Sequence, residues 1–422
     1  MKKNNLKRFL ALTSIAFAYG TMYLLPYMKG VWYDQMIAAT GFSNEQLGFL
    51  VTVYTIVLSI TYIPGGWVAD LIKPKKILAF SSALNGLLCF VFMMFSRNYA
   101  IAMLVWGAAG FTGGFAFWPA MLKGVRLLGT KDEQGRIYGI FEALNGIASL
   151  LASMFMVWIS TLFVTEIAGF KGALTTMGSI GIIVALAVWF LFDENLTYNE
   201  DALSESSKID LKSFVKTLVM PEVWIVALLM FVGVTIFDLL AYLTPYNTSF
   251  IGISAATASF IGTFRQYGCR VGGIGGGFMA DKVLKSSALW QIVSMVAFVP
   301  LVLVFGLIPE GATVPAVIMG FVLALMAYAQ RVTCYSLLTE LQIPANVSGT
   351  ALALVTLIGY SPDFFVHTMW GNWIDQHGND SYQMIFNYNA VVAVIGILLA
   401  LISFRMVRKK RQFAIQELSE ES

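Results

Sequence analysis

The chain has 422 residues, of which 58% are hydrophobic and only 12% charged, with a formal net charge of +3. A typical soluble domain carries about 25% charged residues, and no core of a chain this long hides so much apolar surface, so a soluble globular protein is excluded. The net charge says little by itself and no nucleic-acid partner is expected; the distribution of the charges says more.

The first twenty residues, MKKNNLKRFLALTSIAFAYG, begin basic and turn apolar, and Ala16–Phe17–Ala18 imitates a signal-peptide cleavage site. The apolar run continues past that triplet to Leu25, long enough for a first membrane helix near 9–31. Further runs follow near 46–70, 77–95, 99–121, 137–163 and 172–192. Each approaches the roughly 20 residues that cross about 30 Å of hydrocarbon. Residues 193–220 are the longest polar interruption and read as a solvated linker, with a short amphipathic helix near 210–218. Six more runs lie near 221–246, 255–280, 288–308, 313–338, 347–368 and 384–405, before a short basic tail. The expected fold is an all-α polytopic membrane protein of twelve transmembrane helices. Its domains are a bundle over 1–192, the linker 193–220 and a second bundle over 221–422.

Lys and Arg sort by loop. One side receives the N-terminus, Lys73, Lys75 and Lys76, then Lys123, Arg126, Lys131 and Arg136, the linker lysines Lys208, Lys212 and Lys216, Lys282, Lys285 and the tail from Arg405 to Arg411. The opposite loops hold little beyond Arg97 and Lys171. The positive-inside bias therefore places both termini in the cytoplasm. Cys89, Cys269 and Cys334 fall in apolar runs and read as small packing residues. His367 and His377, ten residues apart, read as too isolated for a metal site, and no metal or cofactor is expected.

The two halves repeat. Tyr23–Tyr27 (YLLPY) matches Tyr242–Tyr246 (YLTPY), and Gly41–Ser43 (GFS) matches Gly252–Ser254 (GIS). Gly66-x-x-x-Asp70 matches Gly277-x-x-x-Asp281, and Gly139 matches Gly349. Two six-helix repeats are the layout of a family of transporters. The chain resembles the major facilitator superfamily through the signature Gly66-Trp-Val-Ala-Asp70 with Lys73, Lys75 and Lys76, and its second copy Gly277 to Asp281 with Lys282 and Lys285. Leu71 and Pro74 depart from the usual basic run. The resemblance implies two pseudo-symmetric six-helix bundles and a cytoplasmic latch made of Gly66, Asp70, Lys75, Lys76, Gly277, Asp281 and Lys282. In that latch glycine permits close helix approach and charge pairs form in one state only. The stretch 117–146 is similar to bacterial facilitators near the organophosphate:phosphate antiporters, which implies an organic-anion branch and a bacterial inner membrane.

Ionisable groups inside spans are functional candidates by default. Arg270 lies eleven residues from Asp281, about 16 Å along a helix, and Arg265 about 24 Å. Arg265 is the leading substrate ligand, with Arg270, Tyr23, Tyr242 and Tyr54, the repeat counterpart of Arg265, as further candidates. Lys29 reads as snorkelling to water, and Arg331 as lying in the inner half of the tenth span. Asp238, Glu142 and Asp363 are the proton-coupling candidates, Asp238 first. The expected function is secondary active transport of a small organic anion (a carboxylate, acidic sugar or phosphorylated sugar), driven by protons or exchange, with the lipid bilayer as surroundings and the monomer as working unit. Efflux of a neutral or cationic lipophilic compound is the alternative, kept open by twenty methionines and Asp238. No nucleophile elbow, metal motif or other catalytic set marks an enzyme.

Overall fold

A computed structural model describes residues 2–130, 133–193 and 217–420. Lys131, Lys208, Lys212, Lys216 and most of the expected linker and amphipathic helix lie outside the described residues, as does the Asp70 side chain. Among the described residues, ten spans are long and apolar enough to cross a membrane without a break in that character. The other two expected spans, the first and the eighth, are present as interrupted helices. The first is α1 (Lys2–Met22) and α2 (Lys29–Thr40); the eighth is α10 (Ala255–Tyr267), a 3₁₀ turn Gly268–Arg270, and α11 (Val271–Phe278). The twelve-span, all-α layout is therefore present.

Between them, α3 (Asn44–Leu71), α4 (Pro74–Met94), α5 (Tyr99–Gly114) with α6 (Phe117–Leu127), α7 (Gln134–Thr161) and α8 (Glu166–Leu191) complete the first six spans. The second six use α9 (Pro221–Ser249), the broken eighth span, α12 (Ser287–Phe305) and α13 (Thr313–Thr333) with α14 (Ser336–Glu340). They end with α15 (Ala345–Gly359) and α16 (Val366–His377), then α17 (Asp380–Glu420). Local sequence explains the starts. Ser43 and Gln46 make a reciprocal capping box on α3, Asn98, Thr165 and Ser286 each accept a backbone N–H at the head of α5, α8 and α12, and Pro74 and Pro221 open α4 and α9.

The chain forms two compact units. One is Met1–Ser207 together with Ser254–Tyr267; the other is Lys208–Ile253 with Gly268–Ser422. Within the first, α10 packs on α2 and α7. Gln35 Nε2 donates to Ser259 Oγ at 2.9 Å, and the Ser153 and Thr263 hydroxyls meet at 3.1 Å. Buried aromatic rings knit its core: Phe92 meets Trp106 edge-on at 4.9 Å, and Trp106 donates its indole N–H to the Pro26 carbonyl at 3.2 Å. Leu104 and Phe190 of the first unit and Ile274 of the second are more than 70% exposed. That surface suits hydrocarbon and would aggregate in water.

The internal repeat has a structural meaning at two places. Gly41 and Gly252 both take positive φ, +75° and +81°, where an L side chain is strained, and each ends a first-of-six span ahead of a serine that heads the next helix. Within each signature, the close helix approach falls one residue before the expected glycine. A Cβ on Gly65 would run into the backbone of Ala116, and one on Gly276 into the backbone of Ala329. Gly66 and Gly277, the glycines expected to permit close packing, have open space where a Cβ would go. The second and fourth spans thus touch backbone to backbone in the first unit, and the eighth and tenth do the same in the second.

Acidic groups also hold the polar ends of each unit. Arg8 pairs with Glu133 at 2.6 Å, and its hydrogen bond holds the Glu133 carboxyl below the usual carboxylate range. In the second unit the basic tail is bonded down: Lys410 pairs with Glu222 and Arg411 with Glu340, each at 2.8 Å. Glu340 also accepts the Ala288 N–H at 3.0 Å, placing a carboxylate on the N-terminal turn of α12, where the helix dipole favours it.

Candidate functional site

The strongest polar constellation lies inside the second unit, where the eleventh span breaks. Helix α15 stops at Gly359, a 3₁₀ turn runs over Ser361–Phe364 with Pro362 near its start, and the chain re-enters a helix at Val366. Proline supplies no N–H for a continuing α-helix, and Pro362 suits the change of helix type seen here. The break brings Asp363 and His367, four residues apart, against Asp238 of α9. His367 Nε2 lies 3.8 Å from Asp238 Oδ1 and 3.9 Å from Asp363 Oδ1. All three side chains are 5% exposed or less.

Neighbouring aromatics fix the imidazole. Tyr242, one turn beyond Asp238, stacks on it with centroids 5.8 Å apart and planes 19° from parallel. The Tyr242 hydroxyl donates to the His367 carbonyl oxygen at 2.7 Å, and Trp370 meets the Tyr242 ring edge-on at 5.2 Å. Two carboxylates and a neutral imidazole carry two negative charges when fully deprotonated, and the interior of a span penalises each of them. Two protons bring the cluster to neutrality, and the donor atoms, all within 4.8 Å of one another, also suit a small shared cation.

Asp238 and Asp363, expected separately as proton-coupling candidates, are thus brought together, and Tyr242 packs beside them. His367 was missed. The expectation that it is isolated is corrected by its position between two acids; Asp363-x-x-x-His367, one helical turn apart, was the available signal. Glu142 stands elsewhere, exposed on α7, where Asn145 donates to it at 3.2 Å.

The expected substrate ligands divide between the units. Tyr23 and Tyr54 are in the first, both packed against Gly113, and Tyr27 meets Tyr54 edge-on at 5.5 Å. Tyr23 and Tyr27 occupy the turn between α1 and α2, which contains Pro26. Arg265, also in the first unit, is 2% exposed in α10. Lys29, expected to snorkel, is instead only 3% exposed at the head of α2. Arg270 belongs to the second unit, half-buried at the end of the 3₁₀ turn, its guanidinium beside the Tyr328 hydroxyl.

Of the latch residues, Asp281 and Lys282 are exposed on a π-helical turn, Met279–Val283, whereas the first copy stays α-helical to Leu71. Lys75 lies 5.4 Å over the Trp189 ring, and Lys76 is exposed. Cys89, Cys269 and Cys334 are free and buried. Arg97 and Lys171 line one open cavity of about 780 Å³ on the first unit.

A family model described as Major Facilitator Superfamily matches residues 9–366. Two Escherichia coli proteins are similar along most of their length. Inner membrane protein YihN is 26% identical over 97% of this chain and 99% of its own, and inner membrane protein YqcE is 25% identical over 89% of each. Among solved structures, a bacterial homolog of the human lysosomal transporter Spinster, inward-facing and unoccupied, superposes with a TM-score of 0.75. That match covers 96% of this chain and 98% of the other at 17% identity.

Proposed function

Because the chain belongs to the major facilitator superfamily, and so is a membrane transporter of a small solute, we propose that it is a proton-coupled secondary transporter of a small organic anion. The observation that carries this reading is the Asp238–His367–Asp363 cluster. Two acids and an imidazole enclosed in a span are costly to keep charged, so they persist where a change of charge is used. Each protonation step removes charge from a low-dielectric interior and biases whichever conformation holds the neutral form better. An anionic substrate fits the excess of cations in the spans, of which Lys29, Arg265 and Arg270 are inside or at the edge of the hydrocarbon.

Buried acids also suit a cationic cargo, and the opposite reading, efflux of a lipophilic cation, rests on the same cluster. Counterflow in proteoliposomes separates the two. Short carboxylates, acidic sugars and sugar phosphates are expected to exchange, with uptake accelerated when the outside is acidified. Exchange of lipophilic cations alone sinks the anion reading; anion uptake indifferent to the proton gradient sinks the coupling.

The basic loops and the E. coli relatives' naming as inner membrane proteins support an inner-membrane location with both termini cytoplasmic. Cysteines introduced at Lys75 and Lys285 are then expected to react only with reagent admitted to the cytoplasm. Reaction at either from outside intact cells reverses the topology.

A further inference from the structure

A second arginine of the second unit, Arg331, shares one aromatic neighbour with Arg270, the phenol of Tyr328. Arg331, near the end of α13, donates from Nη2 to the Tyr360 hydroxyl at 2.7 Å. Its guanidinium carbon sits 4.3 Å over the Phe237 ring and 5.2 Å from the Tyr360 ring centroid. Tyr328, three residues before Arg331, meets Phe237 edge-on at 5.0 Å, and the Arg270 guanidinium lies at its hydroxyl. Both arginines are half-buried.

We infer that Arg331, over the ring faces of Phe237 and Tyr360, and Arg270, at the Tyr328 hydroxyl, form the subsite that takes the carboxylate or phosphate group of the transported anion. This rests on the transport reading and names the residues that would read the charge. The contacts of Arg331 among the described residues are a phenol hydroxyl and ring faces, all neutral. A guanidinium inside a span without a countercharge is unfavourable unless it faces water or a ligand. Ring faces stabilise and orient the cation without neutralising it. A guanidinium has five donors in a planar fork; Tyr360 accepts one of them, and the fork matches the spacing of carboxylate and phosphate oxygens. Position supports the same conclusion. Arg270 closes the interruption of the eighth span and Tyr360 opens that of the eleventh, and ligands of membrane transporters bind where helices are discontinuous.

The test is arginine footprinting of the full chain in nanodiscs with phenylglyoxal, read residue by residue by mass spectrometry. The probes are inorganic phosphate, acetate and glucuronate, with glycerol as the neutral control. Arg270 and Arg331 are expected to react several-fold faster than the enclosed Arg265, and at least one of the three anions is expected to slow both by about fivefold or more. Arg331→Lys keeps the charge and loses the fork, so protection at Arg270 is expected to need about tenfold more anion. Equal rates with and without all three anions, or an Arg331 as unreactive as Arg265, overturn the subsite. Counterflow is measured separately. Anion transport without protection removes the subsite and leaves the transport reading, whereas protection without anion transport keeps the subsite and removes that reading.

Discussion

Asp238→Asn is expected to abolish uphill accumulation of the solute while leaving counterflow between equal pools measurable. Asparagine preserves the shape of the side chain and removes its ability to change charge. Under proton coupling, accumulation needs the proton on every cycle; exchange of solute for solute does not. Removing one partner of a buried charged set shifts its equilibria by ~3 kcal/mol or more, so accumulation is expected to fall about a hundredfold or more. Asp363→Asn is expected to behave alike, since both carboxylates stand at nearly the same distance from His367 Nε2. Amounts of inserted protein, compared by fluorescence-detected gel filtration, separate a coupling defect from a folding defect. Accumulation surviving in both variants at normal levels removes the cluster from the coupling mechanism.

Gly276→Ala and Gly65→Ala are expected to lose most of the folded protein, while Gly277→Ala and Gly66→Ala keep it. Two effects compete at each position. Alanine is the better helix former by ~1 kcal/mol, and at Gly66 and Gly277, where the space is open, that gain stands alone. At Gly65 and Gly276 the added methyl meets the backbone of Ala116 or Ala329, which has no rotamer to turn aside. The spans must then part, and overpacking of this kind costs ~1–3 kcal/mol or more. The steric cost wins at two of the four positions and is absent at the others. Thermal stability in detergent reads the difference, with a lower Tm for the first pair and an unchanged or higher one for the second. A Gly276→Ala protein as stable as the wild type contradicts the backbone contact.

Much of the fold was legible because a membrane imposes long apolar runs and a duplicated chain repeats its punctuation. Gly41 and Gly252 were paired by sequence and share the same positive φ. The site was harder to read, because a run of apolar residues looks like one continuous helix until its hydrogen bonds are known. The breaks at Tyr23–Met28, at Gly268–Arg270 and after Gly359 change which side chains share a face, and a uniform 100° step per residue cannot register that. This is why Arg331 was placed by depth alone, with no hint of Phe237 or Tyr360. His367 is a different case: its spacing of four from Asp363 is legible in the sequence, and what the sequence lacks is the approach of Asp238 from another span. The tight glycines escaped for a different reason: in a Gly-Gly pair, sequence does not say which of the two faces the neighbouring helix.

Phe237 and Asp238 are consecutive residues, and Tyr360 and Asp363 belong to one short irregular stretch. The proposed anion subsite and the acid cluster therefore draw on the same two pieces of backbone, one on α9 and one in the gap between α15 and α16. Under these assignments the two sites have no independent affinities. If protonation of the cluster tightens the anion tenfold, about 1.4 kcal/mol, a bound anion must tighten the proton tenfold as well, because the two routes to the doubly occupied state have equal free energy. A protein with only one of the two ligands is then the disfavoured species, and that is the species through which either ligand would leak alone.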